Sequence, residues 1–238
     1  MPVASSDELA RSVIRRSALN SHTDVRSTHS APVDSRDPET PSRVVVLASG
    51  SGTLFQALAD AATGDFPACI AALVTDRDCE AEARAQRAGI ECVRVTPRSY
   101  SDRAAWNHAL TSVVDSYRPD LVVTAGFMRI LGPEFLAAFP GKIVNSHPAL
   151  LPAFPGAHAV RDALSYGVRV TGTTIHIVDE GVDTGPVLAQ EAVTVGTDDS
   201  ESSLHERIKA VERRLLVEVV AALVTRGVII DGRKALIP

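Results

Sequence analysis

Short apolar runs alternate with longer amphipathic stretches from Arg43 onward, and this alternation limits the fold more than any other feature of the chain. Residues 44–48, 69–74, 91–95, 121–124 and 142–144 are each too short for a buried helix and are rich in the residues of buried strands. Between them, residues 53–62, 79–88 and 101–117 carry helical spacing. The last of these places Ala105, Ala109, Leu110, Val113 and Val114 along one side. Strands that are continuously apolar have both faces covered. The order therefore predicts an α/β, Rossmann-like fold: a mostly parallel sheet with right-handed crossovers and helices on both faces. After a proline-rich loop the rhythm changes. Residues 170–178 and 187–195 read as two strands joined by an acidic, glycine-rich loop, an antiparallel addition in the C-terminal half, and residues 201–225 read as a long closing helix.

Residues 1–42 contrast with this pattern. They are rich in Ser, Arg, Asp and Thr and almost free of aromatic or long apolar side chains, so burial would not offset the entropy of ordering them. The expected organisation is a disordered N-terminal extension over 1–42 and a catalytic domain over 43–238. Ser5-Ser6-Asp7-Glu8 before Leu9, Val13 and Ile14 resembles a capping box and would support a short, marginal helix. There is no apolar core of a secretory signal, and the acidic residues argue against a transit peptide. A net charge of −5 gives no general field for nucleic acid, and no apolar run approaches a membrane span. Cys69, Cys79 and Cys92 lack metal-ligand spacing; an odd number of thiols with no secretion signal fits a reducing, cytoplasmic setting.

Two segments carry chemistry. In Asn145-Ser146-His147, at the end of the 142–144 strand, the period of an extended chain places the amide and the imidazole on one side. Pro148, Pro152, Pro155 and Gly156 then hold a stiff loop without helix or ladder. A surface loop with a buried polar pair is the plainer alternative. The second segment, Ser49-Gly50-Ser51-Gly52-Thr53, joins the first strand to the first helix, where small residues let backbone N–H groups approach an anion. Phe55 stands where a dinucleotide fingerprint needs its third glycine, and no P-loop lysine follows, so a single phosphate suits the turn better than NAD or ATP. A tight strand-to-helix turn with no ligand is equally compatible with this segment.

The string Asn145-Ser146-His147-Pro148-Ala149-Leu150-Leu151-Pro152 resembles the Asn-x-His-Pro-Ser-Leu-Leu-Pro signature of the folate-dependent formyltransferases, with Ala149 in place of serine. Three further blocks agree in family order: Leu47 to Thr53, Ala125-Gly126-Phe127-Met128-Arg129-Ile130-Leu131, and Gly172 to Val178 followed by Asp179-Glu180-Gly181-Val182-Asp183-Thr184-Gly185-Pro186. The resemblance covers about residues 43–230 and is greatest to the branch that acts in de novo purine synthesis. It implies the formyltransferase fold and transfer of the formyl group of 10-formyltetrahydrofolate, a co-substrate, to the amine of glycinamide ribonucleotide (5-phosphoribosylglycinamide). No metal is implied. The implied partners are these small molecules, without nucleic acid or membrane, and family members can be homodimers.

The resemblance also assigns roles. Asn145 would donate to the oxyanion, His147 would shuttle protons, and Asp183 would orient the imidazole and raise its pKa. Gly52, Thr53 and Leu54 would hold the phosphate, Leu54 by its backbone alone because the family often has asparagine there. Glu212 would bind the ribose hydroxyls. Arg103, the backbone of Met128, Arg129, Ile130 and Leu131, and Asn145 would hold the folate, with Asp179 to Asp183 as the other wall. Plainer readings stand beside these: a turn aspartate for Asp183, core packing for Met128, Ile130 and Leu131, and a solvated helix charge for Glu212. His176 and His158 read as structural histidines. Rival activities are formyltetrahydrofolate hydrolysis, formylation of methionyl-tRNA, and a non-catalytic nucleotide-binding Rossmann protein. The tRNA enzymes usually carry a basic residue in the loop before its glycine and a basic C-terminal domain. Here the loop reads Ala153-Phe154-Pro155-Gly156 and the chain stops soon after the last helix.

Overall fold

A computed structural model describes residues 29–30 and 40–238. The elements run β1 (His29–Ser30), β2 (Ser42–Ala48), α1 (Thr53–Ala61), β3 (Ala68–Thr75), α2 (Glu80–Ala88), β4 (Cys92–Arg94), α3 (Arg103–Ser116), β5 (Leu121–Thr124), α4 (Pro133–Ala138), β6 (Ile143–His147), α5 (Ala159–Tyr166), β7 (Val170–Ile177), β8 (Val187–Thr194), α6 (Glu201–Arg226), β9 (Ile229–Asp231) and β10 (Lys234–Leu236). They form one sheet in the order β1-β9-β10-β8-β7-β6-β5-β2-β3-β4. The strands from β6 to β4 pair in parallel, whereas β7 and β8 add antiparallel beside β6. This is the expected mostly parallel sheet with a C-terminal antiparallel addition.

Alternation along the central strands divides the core. Val44, Val46 and Ala48 of β2 face a cluster with Leu54, Phe55 and Leu58 of α1 and Leu215, Leu216, Val219 and Val220 of α6. Val45 and Leu47 face the opposite way, into Trp106, Leu110 and Val114 of α3 and Phe135 of α4. The same parity reaches β6: Val144 joins the α1/α6 side and Ile143 the α3/α4 side. Ser146 and the pair Asn145/His147 therefore emerge on opposite faces at the sheet's C-terminal edge.

Several elements were not read from the sequence. Helix α4 has only six residues and starts on a proline at its first turn, too short for a periodic signal. Helix α5 follows the proline loop directly; its one usable mark was Gly167, the left-handed cap at its end. The hairpin β9–β10 extends the sheet beyond β8, through the pairing of β10 with β8. Ser42 already belongs to β2, and His29–Ser30 pair with β9. Residues 1–28 and 31–39 of the expected extension, including the segment from Ser5 to Ile14, lie outside the described residues.

Trp106 is the largest fully buried side chain, and its indole N–H donates to the Val95 carbonyl at 2.8 Å. Trp106→Ala leaves both a cavity and an unpaired carbonyl, so it should destabilise the domain by about 3–5 kcal/mol in a denaturant melt.

Candidate active site

The ends of β2, β5 and β6 line one cavity of about 640 Å³. Its walls are the glycine loop from Gly50 to Leu54, the segment from Thr124 to Leu131, the β6 end with Pro148, Gly156 and Ala157, the loop from Asp179 to Asp183, and His205, Lys209 and Glu212 of α6. The volume suits small-molecule substrates. Cavities at the carboxyl edge of an open α/β sheet are where such folds take ligands.

The centre is built around Asp183. Its side chain is 12% exposed, and its backbone is held at a φ of 54°, a left-handed conformation that is uncommon outside glycine and more accessible to asparagine and aspartate than to other residues. Oδ2 accepts from the Gly156 N–H at 2.7 Å and lies 3.2 Å from His147 Nδ1. Oδ1 lies 3.4 Å from Asn145 Nδ2 and 3.5 Å from His176 Nε2. Burial raises the Asp183 pKa, but hydrogen bonding from His176 and Gly156 and the charge of both imidazoles outweigh it and hold the carboxyl below its ordinary value.

His147 is 4% exposed, with both ring nitrogens engaged. Nε2–H donates to the Phe154 carbonyl at 2.8 Å, so the proline loop folds back onto the histidine that precedes it. Burial pushes the His147 pKa below the ordinary value, while the Asp183 charge and the Phe154 carbonyl pull it upward. The sequence expectation was a net rise. The carboxylate acts in the expected direction, but removal from water is the larger effect. Asn145 is oriented by Thr124, whose hydroxyl donates to Oδ1 at 2.6 Å; this turns the amide N–H groups toward Asp183 and toward His176 Nε2 at 3.2 Å.

Ser146 points the other way and donates to Glu212 Oε1 at 2.7 Å, with the Thr173 hydroxyl 3.4 Å from the same oxygen. Glu212 is 3% exposed and lines the cavity, so it is not a solvated helix charge. Burial raises its pKa. Lys209, one turn earlier on α6, lines the same wall and was missed in the sequence. It stands at i−3 from Glu212, on the same helix face.

The glycine loop is shaped by its neighbour α2. Gly52 has φ 69°, and a Cβ there would lie 2.6 Å from the Ala81 Cβ and 2.7 Å from its Cα. The Ala81 N–H donates to the Gly50 carbonyl at 3.2 Å, and Arg84 Nε donates to the Ser51 carbonyl at 2.7 Å. Glycine at 52 thus answers both a left-handed turn and a close approach. Gly52 precedes α1 without any side-chain cap, so the first N–H groups of α1, at Thr53 and Leu54, face the cavity.

The remaining expectations divide. Met128 and Ile130 are 60% and 65% exposed at the cavity mouth, so core packing holds only for Leu131. Arg129 lines the cavity, but its Nε is bonded to Asp76. Arg103 stacks 4.9 Å over Trp106 and donates to the Ile130 carbonyl, outside the lining residues. Asp179 caps its own loop, accepting from the Gly181 N–H at 3.1 Å and the Thr184 hydroxyl at 2.6 Å. His176, read as structural, is part of the centre through Asn145 and Asp183; its place in a strand between two isoleucines hid this. His158 is exposed, at the start of α5. No cluster of three or more His, Cys, Asp or Glu that could hold a metal occurs among the described residues.

An amide, an imidazole and a carboxylate thus meet at the edge of an α/β sheet, on the same cavity as the uncapped start of α1. The formyl transferase profile matches residues 42–220. A phosphoribosylglycinamide formyltransferase of Mycobacterium tuberculosis is 56% identical over 83% of this chain and 92% of its own length. The Bacillus subtilis protein of that name is 37% identical over 81% and 99%. The crystal structure of glycinamide ribonucleotide transformylase 1 from Symbiobacterium toebii superposes with a TM-score of 0.81 at 42% identity, covering 83% of this chain and 94% of that one. The chain belongs to the formyl transferase family.

Glu212 permits a sign-specific test. A carboxyl whose folded pKa is raised favours the folded state while protonated, and this advantage is lost as pH rises from the unfolded value through the folded one. Glu212→Gln should therefore melt at a higher temperature than the parent at pH 8, with the gap closing as pH falls through the carboxylate range.

Proposed function

We propose that this chain is a phosphoribosylglycinamide formyltransferase, transferring the formyl group of 10-formyltetrahydrofolate to the amine of 5-phosphoribosylglycinamide in de novo purine synthesis. The observation that carries the reading is the convergence of Asn145, His147 and Asp183 on a cavity whose other wall holds the glycine loop and Glu212. The phosphate sits on the N–H groups of Gly52, Thr53 and Leu54, with Lys209 as the nearby cation, and the ribose hydroxyls donate to Glu212. The folate lies between the wall from Met128 to Leu131 and the loop from Asp179 to Asp183. Arg103 supports the folate wall through the Ile130 carbonyl.

The amine lone pair forms a bond to the formyl carbon, and the carbonyl pair moves onto oxygen. An N–H of Asn145 receives this oxyanion, exchanging its contact with Asp183 or His176 for the new charge. The amine proton passes to His147; the oxyanion pair then returns to re-form the carbonyl, the C–N10 bonding pair leaves onto N10, and His147 gives the proton to N10, so charge and protons balance over the cycle. Burial keeps His147 ready to accept, and Asp183 stabilises the ring once it is charged. The substrates are small molecules, and no nucleic acid, membrane or metal takes part. A cytoplasmic setting and homodimer formation accord with the reading. No helix among the described residues is long and apolar enough to cross a membrane.

The test is an assay with 10-formyltetrahydrofolate and three acceptors: the ribonucleotide, water alone, and charged initiator tRNA. Transfer to the ribonucleotide is expected; deformylation without it, or transfer to tRNA alone, would overturn the reading. His147→Ala should lower kcat by about 10²–10⁴-fold and Asn145→Ala by about 10²–10³-fold; each also unpairs the buried Asp183 carboxylate, so both should melt lower than the parent, and the rates are compared on folded protein. In the parent, the acid limb of kcat/KM should lie below about pH 6.5. Asp183→Asn removes the charge that raises the His147 pKa, so the residual activity should have its acid limb at still lower pH. A limb that moves upward would contradict the assigned roles.

A further inference from the structure

Asp76 takes no part in the chemistry described above, yet it lies at the junction of both substrate walls. It follows β3 directly and is 1% exposed. Its carboxylate accepts from Arg129 Nε at 2.6 Å and from Arg77 Nη2 at 2.9 Å, and also takes a hydrogen bond from the Ser49 hydroxyl. Ser49 opens the glycine loop, and its Oγ accepts from the Met128 N–H at 2.9 Å. The Ser49 N–H in turn donates to the Gly126 carbonyl at 3.2 Å. The segments that follow β2, β3 and β5 thus meet around one buried carboxylate. Burial raises its pKa, but the bonds from Arg77, Ser49 and Arg129 outweigh this and keep it ionised.

We propose that Asp76 is a positioning residue that ties the phosphate loop to the folate wall, so that the two substrate subsites are held as one unit. The inference rests on the functional reading above for what occupies each subsite. A carboxylate withdrawn from water is a weak way to stabilise a fold, because apolar side chains of similar size would serve as well. Its value lies in what it aligns. One arm reaches Ser49, next to the N–H groups that face the phosphate. The other reaches Arg129, whose neighbours Met128 and Ile130 form the cavity mouth. Rigid support of this kind shows in the binding of both substrates and spares the chemical step, since Asn145, His147 and Asp183 are held by a separate set of bonds.

The experiment compares Asp76→Asn with the parent by steady-state kinetics in each substrate, and by calorimetric titration with 5-phosphoribosylglycinamide and with tetrahydrofolate separately. Both KM values and both dissociation constants should rise about tenfold, the loss expected when a charged hydrogen bond holding a binding loop is weakened, with kcat within about threefold. Ser49→Ala removes its bond to Asp76 together with the acceptor of the Met128 N–H and should raise the same constants; Arg129→Gln severs the Asp76 arm to the folate wall while leaving Ser49 in place, should also raise both sets of constants, and carries the test if Asp76→Asn does not fold. A folded variant with only one constant changed, or with a lowered melting temperature and unchanged constants, overturns the proposal. Failure of the parent to formylate the ribonucleotide would instead count against the functional reading, and the binding titrations still decide whether the two walls are joined.

Discussion

The arrangement of the centre depends on the buried carboxylate of Asp183. Four groups from three separate segments meet it: the Gly156 N–H of the proline loop, His147 and Asn145 of β6, and His176 of β7. A charge removed from water is tolerated only when its lone pairs are occupied, so each of these groups is drawn to a defined place. The strained backbone of Asp183, and that of Phe154 at φ 53°, are the local cost of bringing the two loops together. The proline loop closes the arrangement, with Phe154 receiving His147 Nε2 and Gly156 binding Asp183. Further bonds fix the loop to the sheet: the Leu151 N–H to Thr174 at 3.0 Å, and Gln190 to the Leu151 carbonyl at 2.8 Å.

In the proposed function, the sheet turns this local network into a two-substrate site. Alternation in β6 sends Asn145 and His147 toward the Asp183 loop and sends Ser146 toward α6. Asn145 and His147 on one side and the Glu212 carboxylate on the other thus flank one strand end. A substrate laid across that end can present its ribose to Glu212 and its amine to His147. The same parity packs Val144 and Ile143 into different cores, so the placement of the chemistry and the stability of the sheet have one origin.

Much of this was legible in the residues. The period of β6 placed Asn145 and His147 on one side, and the short apolar runs gave a sheet covered on both faces. The small residues at 49–53 marked an anion-ready turn. What could not be read was distance across the chain. Nothing local to Asp183 says that it meets His147, 36 positions earlier; that link came from the family resemblance. His176 between two isoleucines has the local pattern of a core residue, and only pairing of β7 with β6 places it beside Asn145. The polar surroundings of Glu212 hid its burial. Gly52 was legible as a turn glycine, but the pressure of Ala81 on it was not, because α2 reaches it only in the folded sheet.

The most direct test of the account is a crystal structure with 5-phosphoribosylglycinamide and a non-transferable reduced folate bound together. The account predicts phosphate oxygens on the N–H groups of Gly52 to Leu54 and ribose hydroxyls on Glu212. It also predicts the amine about 3–3.5 Å from the folate's reacting position, with Asn145 and His147 in contact with that centre. A ribonucleotide bound with its amine turned away from Asn145 and His147, or with its phosphate away from the glycine loop, would contradict it.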